Sequence, residues 1–291
     1  MFSLKKSSTI GILFLLVSIV TGCTNDVLAK FLGRKLPIIE IVFVRFFVCC
    51  ITLMPFLNKK SFTDKNFLAN LKKNIICGVL GSISMILTVY SIVHIPLVHV
   101  TILFWTIPLF EIFLCKIIFN EVIGKSKMWS TFLGFVIVVV MSSHGGYNNT
   151  ISSFSFNIIY CAPLLGALFF SIQDIIIKNM VTSNKNNIPM LFCFSIVVCI
   201  CSSIFTVGNW VPLSLTDWLI AIFLGCFGNI TQYCVFMSLK YANLSLLAPI
   251  RYTEVIFQML FGIFIFREIP DITTIICALL LIPTVLNAIK K

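Results

Sequence analysis

The chain has 291 residues, of which 59% are hydrophobic and only 11% are charged. Soluble domains carry about 45–50% apolar and about 25% charged residues, so this composition excludes a soluble globular protein. The formal net charge is +11. Because lysine and arginine concentrate on the cytoplasmic side of membrane proteins, the excess indicates a membrane protein and not a nucleic-acid-binding one.

Apolar stretches recur along the whole chain, and each has about the 20 residues that are needed to cross a bilayer. They predict an all-α membrane protein with ten transmembrane helices. Residues 58–74, the longest polar stretch, are predicted to form a loop. The predicted spans are residues 9–30, 37–57, 74–93, 97–118, 128–143, 154–177, 188–208, 218–239, 244–266 and 272–289.

The distribution of positive charge predicts the orientation. The great majority of the 21 lysines and arginines fall in connections that share a side of the membrane with the N-terminus. This bias predicts that both termini are cytoplasmic. Arg45 and Arg251 are left inside the membrane.

An internal repeat is visible in the same order at nearly one separation. Residues 25–31 (NDVLAKF) resemble residues 173–179 (QDIIIKN), and residues 119–121 (FNE) resemble residues 266–268 (FRE). The matches indicate two five-helix units, residues 9–143 and residues 154–289. Because each unit has an odd number of helices, the second inserts upside down. Such inverted repeats are typical of secondary transporters, whose site lies between the halves.

The stretch LLVSIVTGCTND, residues 15–26, also fits the leader of a lipoprotein that is cleaved before Cys23. Against that interpretation, Asp26 has a counterpart at Asp174 in the second unit, and the apolar pattern continues through Leu32. We therefore expect Asn25 and Asp26 to lie in the first transmembrane helix.

Two motifs resemble those of a known family. Residues 36–47 (LPIIEIVFVRFF) are similar to its second helix, in which an arginine follows an acid after four residues. Residues 106–121 (TIPLFEIFLCKIIFNE) are similar to its fourth helix. With the two five-helix units, the chain resembles the EamA-type branch of the drug/metabolite transporter superfamily over nearly its whole length.

Within that branch, the chain most resembles the S-adenosylmethionine uptake carriers of host-dependent bacteria, an impression to which residues 248–271 contribute. The chain departs from an equal repeat in two places. The seventh predicted helix has no counterpart to Glu40 or Arg45, and residues 251–254 replace the proline region of the fourth helix.

Polar and charged residues inside the spans are the candidates for substrate binding. A charge at the bilayer centre costs from about 3 to more than 10 kcal/mol, so such residues are expected to face a cavity or a partner. The acids lie on predicted helices that correspond under the repeat, and we expect them to converge. The candidates are Asp26, Arg45, Trp105, Glu111, Asp174, Asn229, Gln232, Arg251, Tyr252 and Glu254.

The charged candidates have alternative interpretations. Arg45 either forms a buried ion pair, with Asp26 or Asp174 as the partner, or contacts the substrate. Arg251 and Glu254 are three residues apart on one helix face, so they either pair with each other or serve the site.

The uncharged candidates are equally open. Trp105 and Tyr252 either stack on a purine or attract a cation, or they simply face lipid. Asn229 and Gln232 are three residues apart, so they either hydrogen-bond a ligand together or only help helices to pack.

The sequence contains no HExxH, GxSxG or Walker pattern and no zinc-type cysteine array. It therefore predicts no catalytic residues, no metal and no cofactor. The predicted partners are a small-molecule substrate and membrane lipid, not nucleic acid, and the oligomeric state stays open.

The predicted function is that of a multi-pass secondary carrier in a bacterial inner membrane, working by alternating access. The resemblance implies S-adenosylmethionine as substrate: its cationic groups suit the acids, and its carboxylate suits Arg251 or Arg45. Alternatives are an efflux carrier for amino acids or drugs, a non-transporting assembly component, or a lipid-modifying enzyme.

Overall fold

The computed structural model describes most of the chain, and its regular structure there is helical throughout. The tenth predicted span, residues 272–289, lies mostly outside the described part. Residues 95–102 and 145–160, which include the starts of the fourth and sixth predicted spans, also lie outside it. The described residues are 6–33, 35–57, 65–94, 103–119, 124–144, 161–183, 187–206, 208, 210–266, 275–276, 279–280 and 282–283.

Ten α-helices lie in this described part. A 3₁₀ turn, Met54–Phe56, extends α2, and a π-helical segment, Gly262–Phe266, follows α10. In chain order the helices are α1 (Lys6–Leu32), α2 (Ile38–Leu53), α3 (Lys65–His94), α4 (Ile107–Ile118), α5 (Lys125–His144), α6 (Cys161–Ser183), α7 (Ile188–Thr206), α8 (Leu215–Tyr241), α9 (Leu244–Arg251) and α10 (Thr253–Phe261).

Several of these helices can span a bilayer. Among the described residues, five helices are long and apolar enough to do so, and the all-α membrane fold predicted from composition is confirmed. α1 runs without a break through Cys23 and Asn25, both of which are buried. The spanning segments are Ser7–Ala29, Ile39–Phe56, Cys161–Val181, Ile188–Thr206 and Leu215–Tyr241.

The start of α3 differs from the sequence-based expectation. The helix begins at Lys65, inside the stretch predicted to be a loop. Phe67, Asn70 and Asn74 are buried and recur at helical spacing on one face. Asn74 Nδ2 donates a hydrogen bond to the Met190 carbonyl oxygen at 2.7 Å. Because these buried side chains hold the first turns of α3 against the protein, the helix begins before the apolar run.

The ninth predicted span also differs, since it is broken into α9 and α10 at Tyr252. Pro249 lies inside α9. A proline in a helix lacks the amide proton for the ladder and clashes with the preceding turn, and so favours a kink. The break places Arg251 at the end of α9 and Glu254 in the first turn of α10.

Helix packing follows a regular scheme. α1 packs along α8, and α3 packs along α6. α2 packs on α7 and α8, and α3 also packs on α7. α4 contacts α6 and α9, and α10 contacts α1. Glycines permit the closest approaches: a Cβ built on Gly225 of α8 would lie 2.4 Å from Val48 Cγ1 of α2.

We expect Gly225→Ala to destabilise the protein although alanine favours helix formation. The new methyl group would overlap Val48, and overpacking of this kind costs about 1–3 kcal/mol. The thermal midpoint of the purified protein in detergent measures the effect. Gly124→Ala is the control, because a Cβ there meets nothing within 4 Å. Equal midpoints for both variants would contradict the close packing of α2 and α8.

Candidate functional site

A buried ion cluster joins α4, α6 and α9. Arg251, the last residue of α9, places Nε 3.2 Å from Glu111 Oε1. Its Nη2 contacts Asp174 Oδ2. The side chains of Glu111 and Asp174 are 0% and 1% exposed, respectively, and that of Arg251 is 13% exposed. We call these three residues the Arg251 triad.

The triad contains one guanidinium for two carboxylates. Glu254 on α10 adds a further acid that interacts electrostatically with Arg251 and with Asp26 of α1. Asp26 itself is exposed. A net charge in a low-dielectric interior is unfavourable unless it is compensated. With all groups ionised, the triad therefore favours the approach of a cation.

Two of the acids that were expected to converge, Glu111 and Asp174, do lie together. The cation that they contact is not the one suggested for Asp174 by the sequence. The sequence suggests Arg45 as a partner for Asp174, and Glu254 as a partner for Arg251. The structure pairs Asp174 and Glu111 with Arg251. Glu254 also interacts electrostatically with Arg251, so the expected partner is one of three acids around this guanidinium.

The two candidate aromatic rings pack against each other. Trp105 and Tyr252 stack with ring centroids 5.6 Å apart and planes inclined by 30°. The Tyr252 hydroxyl donates a hydrogen bond to the Trp105 carbonyl oxygen at 3.4 Å. Tyr252 is only 1% exposed, whereas Trp105 is half-buried. Trp105 is therefore the ring of this pair with surface left for a ligand.

Gly134 of α5 makes room for this pair. A Cβ built there would lie 2.6 Å from Tyr252 Cδ2. Phe135 and Ile137 of α5 also pack around Tyr252. α5 thus packs against the residue at which α9 and α10 meet.

Arg45 lies in the middle of α2, against α8. A Cβ on Gly228 would lie 3.1 Å from Arg45 Nε, and the guanidinium carbon is 5.5 Å from the Phe46 ring centroid. Nε is buried and has no hydrogen-bond partner among the described residues. No described carboxylate forms an ion pair with Arg45 at 4.0 Å or less.

The amide candidates have different roles. Asn229 Nδ2 donates hydrogen bonds to the Cys49 carbonyl oxygen at 3.0 Å and to Thr52 Oγ1 at 2.7 Å. It therefore ties α8 to α2. Gln232, one turn further along α8, is half-buried.

Two further amides were not selected from the sequence. Asn25, beside Asp26, is 2% exposed, and with its amide suitably oriented it accepts a hydrogen bond from the Gly228 backbone N–H at 3.1 Å. Gln173, beside Asp174, has a buried Oε1 without a described partner. The repeated amide–aspartate dipeptide was the signal that could have identified both.

Apolar helices of spanning length around a buried ion cluster define a polytopic membrane protein of the carrier type. The chain belongs to the EamA-like transporter family, which matches residues 9–143 and 157–288. The chain is therefore a membrane transporter and not an enzyme. The resemblance carried by the helix motifs is confirmed.

Individual relatives cover nearly the whole chain. It is 30% identical to the S-adenosylmethionine uptake transporter of Rickettsia bellii (strain RML369-C), over 97% of this chain and 94% of the relative. It is 22% identical to the pseudopaline exporter CntI of Pseudomonas aeruginosa (strain UCBPP-PA14), over 94% and 93%. A solved crystal structure aligns over 98% of this chain and 97% of its own, with a TM-score of 0.78 at 14% identity, and this shows a shared fold.

Proposed function

We propose that this protein is a secondary carrier that takes up S-adenosylmethionine across a bacterial inner membrane by alternating access. The observation that carries the proposal is the Arg251 triad, in which two buried carboxylates share one guanidinium. S-adenosylmethionine has a sulfonium, an ammonium and a single carboxylate, so it is a net cation. The similarity to the rickettsial uptake transporter supports the same substrate.

In this proposal, Arg251 acts as an internal counter-ion when the site is empty. The substrate cation approaches the face of Asp174 and Glu111 and weakens their contacts with Arg251. The triad plus substrate is then electrically neutral, which lowers the cost of burying the charges. Trp105 provides a half-buried aromatic surface nearby for the adenine or the sulfonium.

We propose two inverted five-helix repeats, ten spans in all, with both termini in the cytoplasm. The helix contacts support an exchange of α1 with α6, α2 with α7, and α3 with α8. Under that exchange the pair α1–α8 becomes α6–α3, and α2–α7 maps onto itself. Trp105 and Tyr252, which stack on each other, are 147 residues apart. Phe119 and Phe266 of the repeated motif have the same separation.

Efflux is the alternative, because the exporter relative matches a similar share of the chain at lower identity. Uptake and efflux use the same fold, and the break between α9 and α10 is compatible with either direction of transport. Discontinuous helices whose ends meet the substrate near the midplane are a recurrent feature of such carriers.

Uptake of radiolabelled S-adenosylmethionine into bacterial cells that lack a carrier for it tests the proposal. We expect saturable accumulation that depends on the chain and is competed by unlabelled substrate. Cells with the vector alone give the background. No accumulation above that background, with folded carrier present in the membrane, would overturn the proposal. Faster loss of label from preloaded cells would favour efflux.

A further inference from the structure

We propose that Arg45 binds the carboxylate of the substrate and so selects cations that carry an amino-acid head over cations that lack a carboxylate. This inference rests on the proposed function and names a second contact point of the same site. The sequence left Arg251 and Arg45 as equal candidates for this task. The geometry of the described residues separates them.

Arg251 is already occupied by two acids. Its Nε faces Glu111 and its Nη2 faces Asp174, and both carboxylates are buried with it. A substrate carboxylate at the same place would be a third acid on a guanidinium that already contacts two. Arg251 is therefore unsuited to hold the carboxylate.

Arg45 has the opposite environment. Its described neighbours are the Phe46 ring, Gly228 and the Cys49 thiol, and none of these carries a full negative charge. Its buried Nε lacks a hydrogen-bond acceptor. An isolated cation within a membrane is costly, and a planar guanidinium matches the two oxygens of a carboxylate. A substrate carboxylate would supply the missing charge and the missing acceptor together.

Under the proposed repeat, the place that corresponds to Arg45 in α7 is taken by the aromatic residue Phe194. A Cβ on Gly81 of α3 would lie 2.8 Å from Gln173 Oε1 and 3.2 Å from the Phe194 ring of α7, whereas a Cβ on Gly228 of α8 would lie 3.1 Å from Arg45 Nε. The Phe46 and Phe194 rings meet edge to face, with centroids 6.1 Å apart. Under the proposed repeat, an apolar ring in α7 thus stands where α2 has a guanidinium.

Glu40, the other charge of α2 without a counterpart in α7, contrasts with Arg45. Its Oε2 accepts a hydrogen bond from the Val211 backbone N–H at 3.1 Å, which joins α2 to the segment before α8. Glu40 thus has a structural contact that explains its position. Arg45 has a charge that no described carboxylate pairs with.

The test compares S-adenosylmethionine with its decarboxylated analogue in wild type and in Arg45→Gln. For Arg45→Gln we expect a rise of about tenfold or more in the half-saturation constant for S-adenosylmethionine uptake, because a charged hydrogen bond is lost. Inhibition of that uptake by the decarboxylated analogue should stay the same or become stronger. Arg45→Lys should give an intermediate value, since it keeps the charge without the planar fork.

Lys35→Gln is the matched control. Lys35 Nζ lies 3.1 Å from Asp217 Oδ1, and its side chain is 60% exposed, so this variant removes the same charge from the surface. It should leave both substrate constants unchanged. Arg45→Gln should also remain folded, with a thermal midpoint no lower than that of wild type, because it removes an uncompensated cation.

Each of the following results would overturn the inference. An unchanged constant for S-adenosylmethionine in folded Arg45→Gln would exclude the contact. Equal weakening for both compounds, or a clear loss of folded protein, would assign Arg45 a structural role. If wild type transports no S-adenosylmethionine at all, the proposed function fails, and the inference fails with it. If wild type takes up S-adenosylmethionine and Arg45→Gln keeps the same selectivity, the inference is refuted but the proposed function is not.

Discussion

Arg251→Gln is expected to remove most of the folded carrier from the membrane. The change would leave Glu111 and Asp174 buried without the one cation that both of them contact. Removing one partner of a buried ion cluster costs about 3–5 kcal/mol. The amount of detergent-stable protein and its thermal midpoint measure the loss.

Neutralising the whole cluster should restore folding. The triple variant Arg251→Gln, Glu111→Gln and Asp174→Asn carries no buried charge in the triad, and we expect it to recover much of the lost stability while remaining inactive. Lys35→Gln is the surface control, because the Lys35 side chain is 60% exposed and ion pairs near the surface contribute about 0–1 kcal/mol. A normal thermal midpoint for Arg251→Gln would show that the triad does not hold α4, α6 and α9 together.

Asp174→Asn should have the reverse phenotype, a folded protein with weak transport. Glu111 still neutralises Arg251 in this variant, so no cation is stranded. The substrate loses one charged contact, and we expect its half-saturation constant to rise about tenfold or more. Uptake normalised to the amount of folded carrier separates this effect from reduced expression.

Asp26→Asn is the comparison within the repeat. Asp26 is exposed on α1, whereas Asp174 is 1% exposed in the triad. We expect the substrate constant to change less for Asp26→Asn than for Asp174→Asn. Unaltered constants in both variants would remove the two aspartates from the binding site.

The helical spans could be read from the sequence because a bilayer imposes a length and an apolar composition on each of them. α7 and α8 lie close to their predicted bounds for this reason. The start of α3 could not be read in this way. Its first turns are held by buried asparagines and Phe67 on one face, and a hydropathy average treats such a face as polar loop.

The sequence also showed which charged residues lie in the membrane, but it did not show which of them form ion pairs with each other. Partner choice depends on how each helix is rotated and on where it breaks. Pro249 indicated a distortion of the ninth span, but it did not indicate that Arg251 contacts Glu111 and Asp174. That no described carboxylate pairs with Arg45 could not be predicted from the sequence either, because Asp26 and Asp174 were both possible partners.

The packing of Tyr252 against α5 limits how the carrier can move. The ring leaves no room for a side chain at Gly134 and stacks on Trp105 on another face. α5 therefore cannot slide along the junction of α9 and α10 without separating Gly134 from the Tyr252 ring. These elements should travel as one rigid body, and the bending that opens each side of the membrane has to occur at other joints. Spectroscopic distances between labels on α5 and α9 should then stay constant while other distances change during turnover.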